Sequence, residues 1–381
     1  MGFLKKFFVL LTILLFLSGC ARSLIKISTS EDNQPYRMFG KNPNREFYEP
    51  ISISDSLIEL WETSVNGGFS NSSIVVYDNY VFASDLSGRV YTFNIEDGDQ
   101  EGKLNYKGAV FSSPAVFRGT LIFPVSIENE PLTEIVYYDF FNGKELQIIE
   151  IPGRILTEMV VLDKSVIFCT DFGTVYKYNL TGNKEWETHI RVPIRSSPSM
   201  FNNKIIFGND KGEIIALDEL SGDSIYVSDI GGNFFSGSSI YDSVLYIGNE
   251  NGILYAINPE DGSLIWEFDS GARIAMTPAV DDTNVIFGNL SGNLFSLNKI
   301  SGEKVWEAKF SSVLNATPLL TDNRIILPDV SLSFHFLDKK SGRVIKTFPL
   351  EGRAKLTPVI HKGILYIGYD DGILRAYEFV N

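Results

Sequence analysis

Few residues in this chain are of types that do chemistry, and they are widely scattered. His189, His335 and His361 fall in separate segments, and no two have the spacing of a metal-binding pair. Acidic residues recur at Asp85, Asp171, Asp210, Glu250 and Asp370, each beside a glycine or a short polar run. Asp is favoured there because its side chain bonds the nearby backbone, so these acids read as turn chemistry rather than an ion site. The arginines are more ordered. Arg154, Arg273 and Arg353 each stand five residues before a recurring strand start, and Arg195 stands three before one. Placed on one face, they form a broken basic ring able to grip carboxylates or carbonyls in bidentate fashion. The competing role is to neutralise the turn acids of the same face. One role is binding and the other structural, and neither is catalytic; the chain is expected to be non-enzymatic, with no cofactor and no metal.

The remaining reactive groups are two thiols. Cys169 lies in Val-Ile-Phe-Cys-Thr, an expected strand, where a lone thiol is a small buried apolar group. Cys20 ends Leu-Ser-Gly-Cys after a basic start at Lys5 and Lys6 and an apolar run from Phe7 to Leu17. That run is shorter than the roughly 20 residues of a spanning helix and has the order of a signal peptide. The tetrad resembles the bacterial lipobox. The resemblance implies cleavage after residue 19, acylation of Cys20 and a lipid anchor, the chain's one attachment to a membrane. Ala21 after the Cys, rather than Asp, implies the outer membrane, with the protein facing the periplasm. Loss of residues 1–19 removes two lysines and no acid, making a chain of net charge −14 more acidic still. Such a chain is a poor ligand for nucleic acid.

The elements that must carry these residues are set by a repeat of about forty positions. Pro198, Pro278, Pro318 and Pro358 begin short alternating runs, with Pro114 earlier and Ser238 in the place of a missing proline. Fourteen residues on stand Gly88, Gly173, Gly212, Gly252, Gly292 and Gly372. Further on come Gly98, Gly143, Gly182, Gly222, Gly262, Gly302 and Gly342, and then Trp186, Tyr226, Trp266 or Trp306. Each repeat therefore reads as four short antiparallel strands, the blade of a propeller. The eighth repeat runs out of chain after three strands. Residues 57–62, with Trp61, supply the fourth, closing the ring and covering an edge that would otherwise invite aggregation. The expected fold is an all-β, eight-bladed propeller over 51–381, with a signal peptide over 1–19 and a lipidated tether over 20–50. Repeat 2 carries an extra segment at 126–134, and repeat 7 has Leu332 in place of a turn glycine.

The runs Ala-Leu-Asp-Glu-Leu-Ser-Gly-Asp at 216–223 and Tyr-Ala-Ile-Asn-Pro-Glu-Asp-Gly-Ser-Leu-Ile-Trp at 255–266 resemble the tryptophan-docking repeat of the pyrroloquinoline-quinone propeller superfamily. Residues 36–45, Tyr-Arg-Met-Phe-Gly-Lys-Asn-Pro-Asn-Arg, are similar to a segment that often precedes such propellers. Lipobox plus eight repeats most resembles the B-subunit family of the outer-membrane β-barrel assembly machinery. That resemblance implies a scaffold, present as a single copy within a complex, whose partner is the barrel-forming assembly subunit. It also implies a partner-binding loop at Ile194-Arg195, just ahead of Ser196-Ser197-Pro198, with Arg154, Arg273 and Arg353 on the same face. The family's arginine stands further from its proline, and its partner-binding aspartates are replaced here by the stretch 234–238. A second reading is a periplasmic propeller that binds a small ligand or carbohydrate in its channel. A third, a quinone-dependent oxidoreductase, calls for a Glu-Asn-Asp calcium site and usually a vicinal Cys pair, and the sequence holds no Cys-Cys.

Overall fold

The computed structural model describes residues 24–30 and 36–380. The expected signal peptide and Cys20 lie outside the described residues. Eight four-stranded antiparallel sheets form the ring. Blade 6 shows the plan: Ala279–Val280, Asn284–Gly288, Asn293–Asn298 and Lys304–Lys309, from the channel outwards. Blades 1 to 5 occupy 75–105, 115–152, 160–189, 199–229 and 238–269, and blade 7 occupies 319–349. Blade 8 has Val359–His361, Ile364–Tyr369 and Ile373–Val380, and its outermost strand is Ser56–Ser64. The closing register runs from Ser56 opposite Val380 to Ser64 opposite Ile373, with a bulge between Glu59 and Trp61.

The paired glycine and tryptophan signals have one cause. Trp186, Trp266, Trp306 and Trp61 each lie on the third-turn glycine of the next blade: Gly222, Gly302, Gly342 and Gly98. A Cβ at these glycines would meet the indole at 2.5–2.7 Å, and each glycine has a positive φ. Each indole N–H also donates to a carbonyl of the next blade, Trp61 to Ile95 and Trp186 to Glu219 at 2.9 Å, Trp266 to Lys299 and Trp306 to Lys339 at 3.1 Å. One side chain thus buries a large ring, satisfies its polar atom and stitches two blades together.

The two irregular repeats keep the plan by other means. In blade 2 the extra residues lengthen one hairpin, Thr120–Ser126 with Leu132–Asp139. In blade 7 Leu332 takes the left-handed conformation itself, at φ 63°. The turn is held by Asp329, which accepts from the Ser331 N–H at 2.8 Å and pairs with His335 at 2.9 Å.

Strand direction gives the ring two faces. The loops between blades and the second turn of each blade share one, here the loop face. The first and third turns share the other, the turn face, where Glu219 N–H donates to Asn203 O at 2.8 Å and Lys299 N–H to Thr283 O at 3.1 Å.

Residues 20–50 were expected as a tether, and wherever they are described they are packed. Residues 36–49 run inside the ring, bonding one innermost strand after another. Tyr36 exchanges two bonds with Val76. Val116, Met200, Ile240, Val280 and Leu320 donate to the carbonyls of Arg37, Pro43, Asn44, Glu46 and Phe47 at 2.8–3.3 Å. The circuit serves blades 1, 2, 4, 5, 6 and 7. Arg45, fully buried, serves blade 3. Its guanidinium donates to the carbonyls of Glu158 (3.3 Å), Met159 (3.1 Å), Pro198 (2.7 Å) and Phe39 (3.2 Å). An Arg with four of its five N–H donors on carbonyls can be buried without a counter-charge in contact. Burial lowers its pKa to about 10.

Candidate functional site

On the loop face each blade begins with the same short run, and its positions divide the work. Four residues before the strand start is a core position: Val110, Ile155, Ile194, Phe234, Ile274, Leu314 and Ala354 are all buried. Ile194 was expected to touch a partner. It is buried instead, because it is the blade-4 copy of this core position. Its apolar counterparts at forty-residue intervals were legible as that signal.

One residue before the strand start, small polar side chains ring the channel and link neighbouring blades. Ser73 N–H donates to Ser113 Oγ at 2.9 Å, Ser113 N–H to Glu158 Oε2 at 2.8 Å, and Glu158 N–H to Ser197 Oγ at 3.1 Å. Thr277 N–H donates to Thr317 Oγ1 at 3.2 Å. Glu158 is the one carboxylate in this ring. Burial raises its pKa to about 7, against the pull of Arg45 and the Ser113 N–H.

Three residues before the strand start, the side chains form the mouth of the channel: Asn71, Phe111, Leu156, Arg195, Phe235, Ala275 and Asn315. They surround a cavity of about 220 Å³ with Phe39 among its lining. Arg195 belongs to this layer. The other three arginines, two positions earlier, lie outside it on the exposed loops.

The arginines do not form a free basic ring. Arg154 meets Asp171 at 2.9 Å, Arg353 meets Asp370 at 2.5 Å, and Arg195 meets Asp210. So Asp171, Asp210 and Asp370 serve as partners of arginines. The turn-capping expected of Asp85 does hold, with bonds from the Ser87 and Arg89 N–H groups at 2.8 and 3.1 Å. In blades 4 and 5 the cap is instead Asn209 or Asn249, one residue before Asp210 and Glu250.

Arg273 differs. The residue matching those acids in its blade is Leu290, and Arg273 has no carboxylate partner among the described residues. Its guanidinium lies 4.5 Å from the centroid of the Phe235 ring, and that of Arg195 lies 4.7 Å from the same centroid. Two cations share one half-buried aromatic at the channel mouth. Phe235 was absent from the expected site residues, although it lies in the stretch 234–238 that stands where the family's partner-binding aspartates are, three residues before Ser238. Beside Arg154 a groove of about 800 Å³ runs under the long blade-2 hairpin, with Leu86, Phe111, Pro131 and Phe172 in its walls. Leu86 and Phe172 are exposed.

Among the described residues no group of three or more His, Cys, Asp or Glu is gathered as metal ligands. The Glu-Asn-Asp calcium site of the superfamily's quinone enzymes is not gathered among the described residues. Glu158 stands alone among hydroxyls, and its carboxylate already accepts a backbone N–H.

A family profile described as outer membrane protein assembly factor BamB matches residues 113–237 and 250–380. No curated protein sequence matches the chain. Among solved structures, BamB from Moraxella catarrhalis superposes with a TM-score of 0.73 at 18% identity, covering 85% of this chain and all (100%) of that one. The quinohemoprotein alcohol dehydrogenase of Comamonas testosteroni superposes with a TM-score of 0.75 at 11% identity, covering 95% and 82%. The computationally designed Ika8 protein gives 0.72 at 12% identity, covering 84% of this chain and 99% of that one. At such identities the superpositions establish the fold, which scaffolds, enzymes and designed proteins share.

Proposed function

The chain belongs to the family of the outer membrane protein assembly factor BamB, and from that premise we propose that it is a non-enzymatic scaffold in outer-membrane β-barrel assembly. In this reading it is anchored through Cys20, faces the periplasm and binds the barrel-forming assembly subunit with its loop face. The observation that carries the reading is the Arg195–Phe235–Arg273 cluster. Phe235 offers a half-buried anchor, and Arg273 offers a guanidinium that no carboxylate among the described residues occupies. Aromatic and Arg residues at the centre of a patch supply most of the energy of a protein interface. Arg154 and Arg353 are already neutralised by their aspartates and contribute less.

The test is capture of the periplasmic domains of the barrel-forming subunit. Arg273→Glu should weaken capture by about tenfold, roughly 1.4 kcal/mol, with an unchanged melting temperature. Arg154→Glu should change it far less. Equal effects of the two would move the docking site off the channel mouth.

The cavity supports a second reading, a small polar ligand in the channel. Its volume, about 220 Å³, would hold on the order of seven waters. A melting shift on adding a small sugar or amino acid, in the absence of any protein partner, would favour it.

A further inference from the structure

The tryptophan-docking pattern has gaps. Four residues after the third-turn glycine stand Trp186, Tyr226, Trp266 and Trp306 in blades 3 to 6, but Gln147 in blade 2, Lys346 in blade 7 and, with no side chain at all, Gly102 in blade 1. The seam between blades 1 and 2 therefore lacks its ring. Residues 24–30 occupy it. A Cβ on Gly102 would meet the Ile25 Cα at 2.7 Å, and one on Gly143, the docking glycine of blade 2, would meet Lys26 at 3.2 Å. Ile25 and Ile27 are buried. The Ile27 N–H donates to Phe140 O at 3.0 Å, the Tyr138 hydroxyl to Ile25 O at 2.9 Å, and the Ser30 N–H to the Asp78 carboxylate at 3.1 Å. Phe140 and Asp78 belong to a third and a first turn, so the segment is seated on the turn face.

We infer that this segment, standing in for the missing tryptophan, holds the turn face of blades 1 and 2 against the phospholipid headgroups and leaves the loop face pointing away from the membrane. The inference rests on the reading of Cys20 as the lipid anchor. Only residues 21–23 separate Cys20 from Leu24, and four extended residue steps reach at most about 14 Å. A blade strand of five or six residues is itself about 17–20 Å long, so a tether this short cannot turn the propeller over. The surface beside the attachment is mixed. Leu24 and Phe141 are exposed apolar residues and Lys26 and Lys144 are exposed cations, whereas Glu96, Asp97 and Asp99 are exposed acids on the third turn of blade 1. The short tether, rather than the charge of the surface, therefore holds this face at the membrane. The Arg195–Phe235–Arg273 cluster, on the opposite face, is then presented to the periplasm.

Asn142 and Glu128 lie on opposite faces of one blade, and both are exposed. Each is replaced by Cys and labelled with a fluorophore in the full-length acylated protein, where Cys169 is buried. The protein is reconstituted in phosphatidylethanolamine–phosphatidylglycerol vesicles carrying a headgroup nitroxide. The label at 142 should be quenched severalfold more than the label at 128. Gly102→Trp, which restores the ring, and Ile25→Asp, which unseats the segment, should each abolish the difference while the protein still floats with the vesicles. Equal quenching in an acylated, floating parent, or stronger quenching at 128, overturns the orientation alone. A protein with no acyl mass on Cys20 overturns the anchor and the orientation together.

Discussion

Two single residues hold unusual states. Leu332 adopts φ 63° where six of the other blades use glycine, and it is 46% exposed, so little burial compensates the conformation. A non-glycine residue in the left-handed region costs about 1–2 kcal/mol, and glycine removes that cost while adding freedom to the unfolded chain. Leu332→Gly should therefore stabilise the protein by roughly 0.5–1 kcal/mol, read as a higher urea midpoint. Glu158 is the other. Its pKa is raised from 4.5 to about 7 by burial. Between those values the unfolded state binds fewer protons than the folded one, so stability falls as pH rises from about 4.5 to 7. The stabilisation is complete below 4.5 and is lost as the folded group ionises. Glu158→Gln keeps an acceptor for the Ser113 N–H and cannot ionise. Its melting temperature should exceed that of the parent at pH 7.5 and approach it at pH 4.5; parallel pH profiles would show that Glu158 does not titrate in this window.

At the scale of elements, the closing strand tests the architecture. Trp61 is 6% exposed, packs on Gly98 and donates to Ile95 O, joining blade 8 to blade 1. Trp61→Ala should cost about 3–5 kcal/mol, whereas the same change at a partly exposed Trp306 should cost less; chemical denaturation of the two variants compares them. The strand was legible because an eighth repeat without its outermost strand and a tryptophan-bearing strand without a repeat have one economical solution. The blades were legible because glycine fills most of the second and third turns, where φ is positive. Residues 36–49 were not. They make their bonds through backbone groups, which leave no periodic trace, and Arg45 in a polar run looks like any surface arginine. The docking of residues 24–30 was hidden in the same way, since Gly102 reads as a gap in a pattern until something is seen to fill it. The arginines were placed on the right face by their spacing. Their pairing with acids fifteen to seventeen residues on needed the turns to be folded first.

For the whole molecule, closure means that no blade is terminal, and residues 36–49 bond six innermost strands at once. Both features couple the blades, so far-ultraviolet dichroism and tryptophan fluorescence should report one coincident unfolding transition. Truncation after residue 372 removes the strand Ile373–Val380 and orphans Ser56–Ser64, and it should split that transition or abolish folding. The same topology fixes an order in time. Segments near the start of the chain find their hydrogen-bond partners in blades 7 and 8, some three hundred residues later. A chain threaded through a translocation pore from its N-terminus can build its middle blades one after another as they emerge, since their contacts are local. It cannot seat residues 36–49 fully or shut the ring until its last residues have arrived. If the chain is exported as proposed, completion of its fold is tied to completion of transport, and a chain stalled in transit remains an open arc with exposed edge strands.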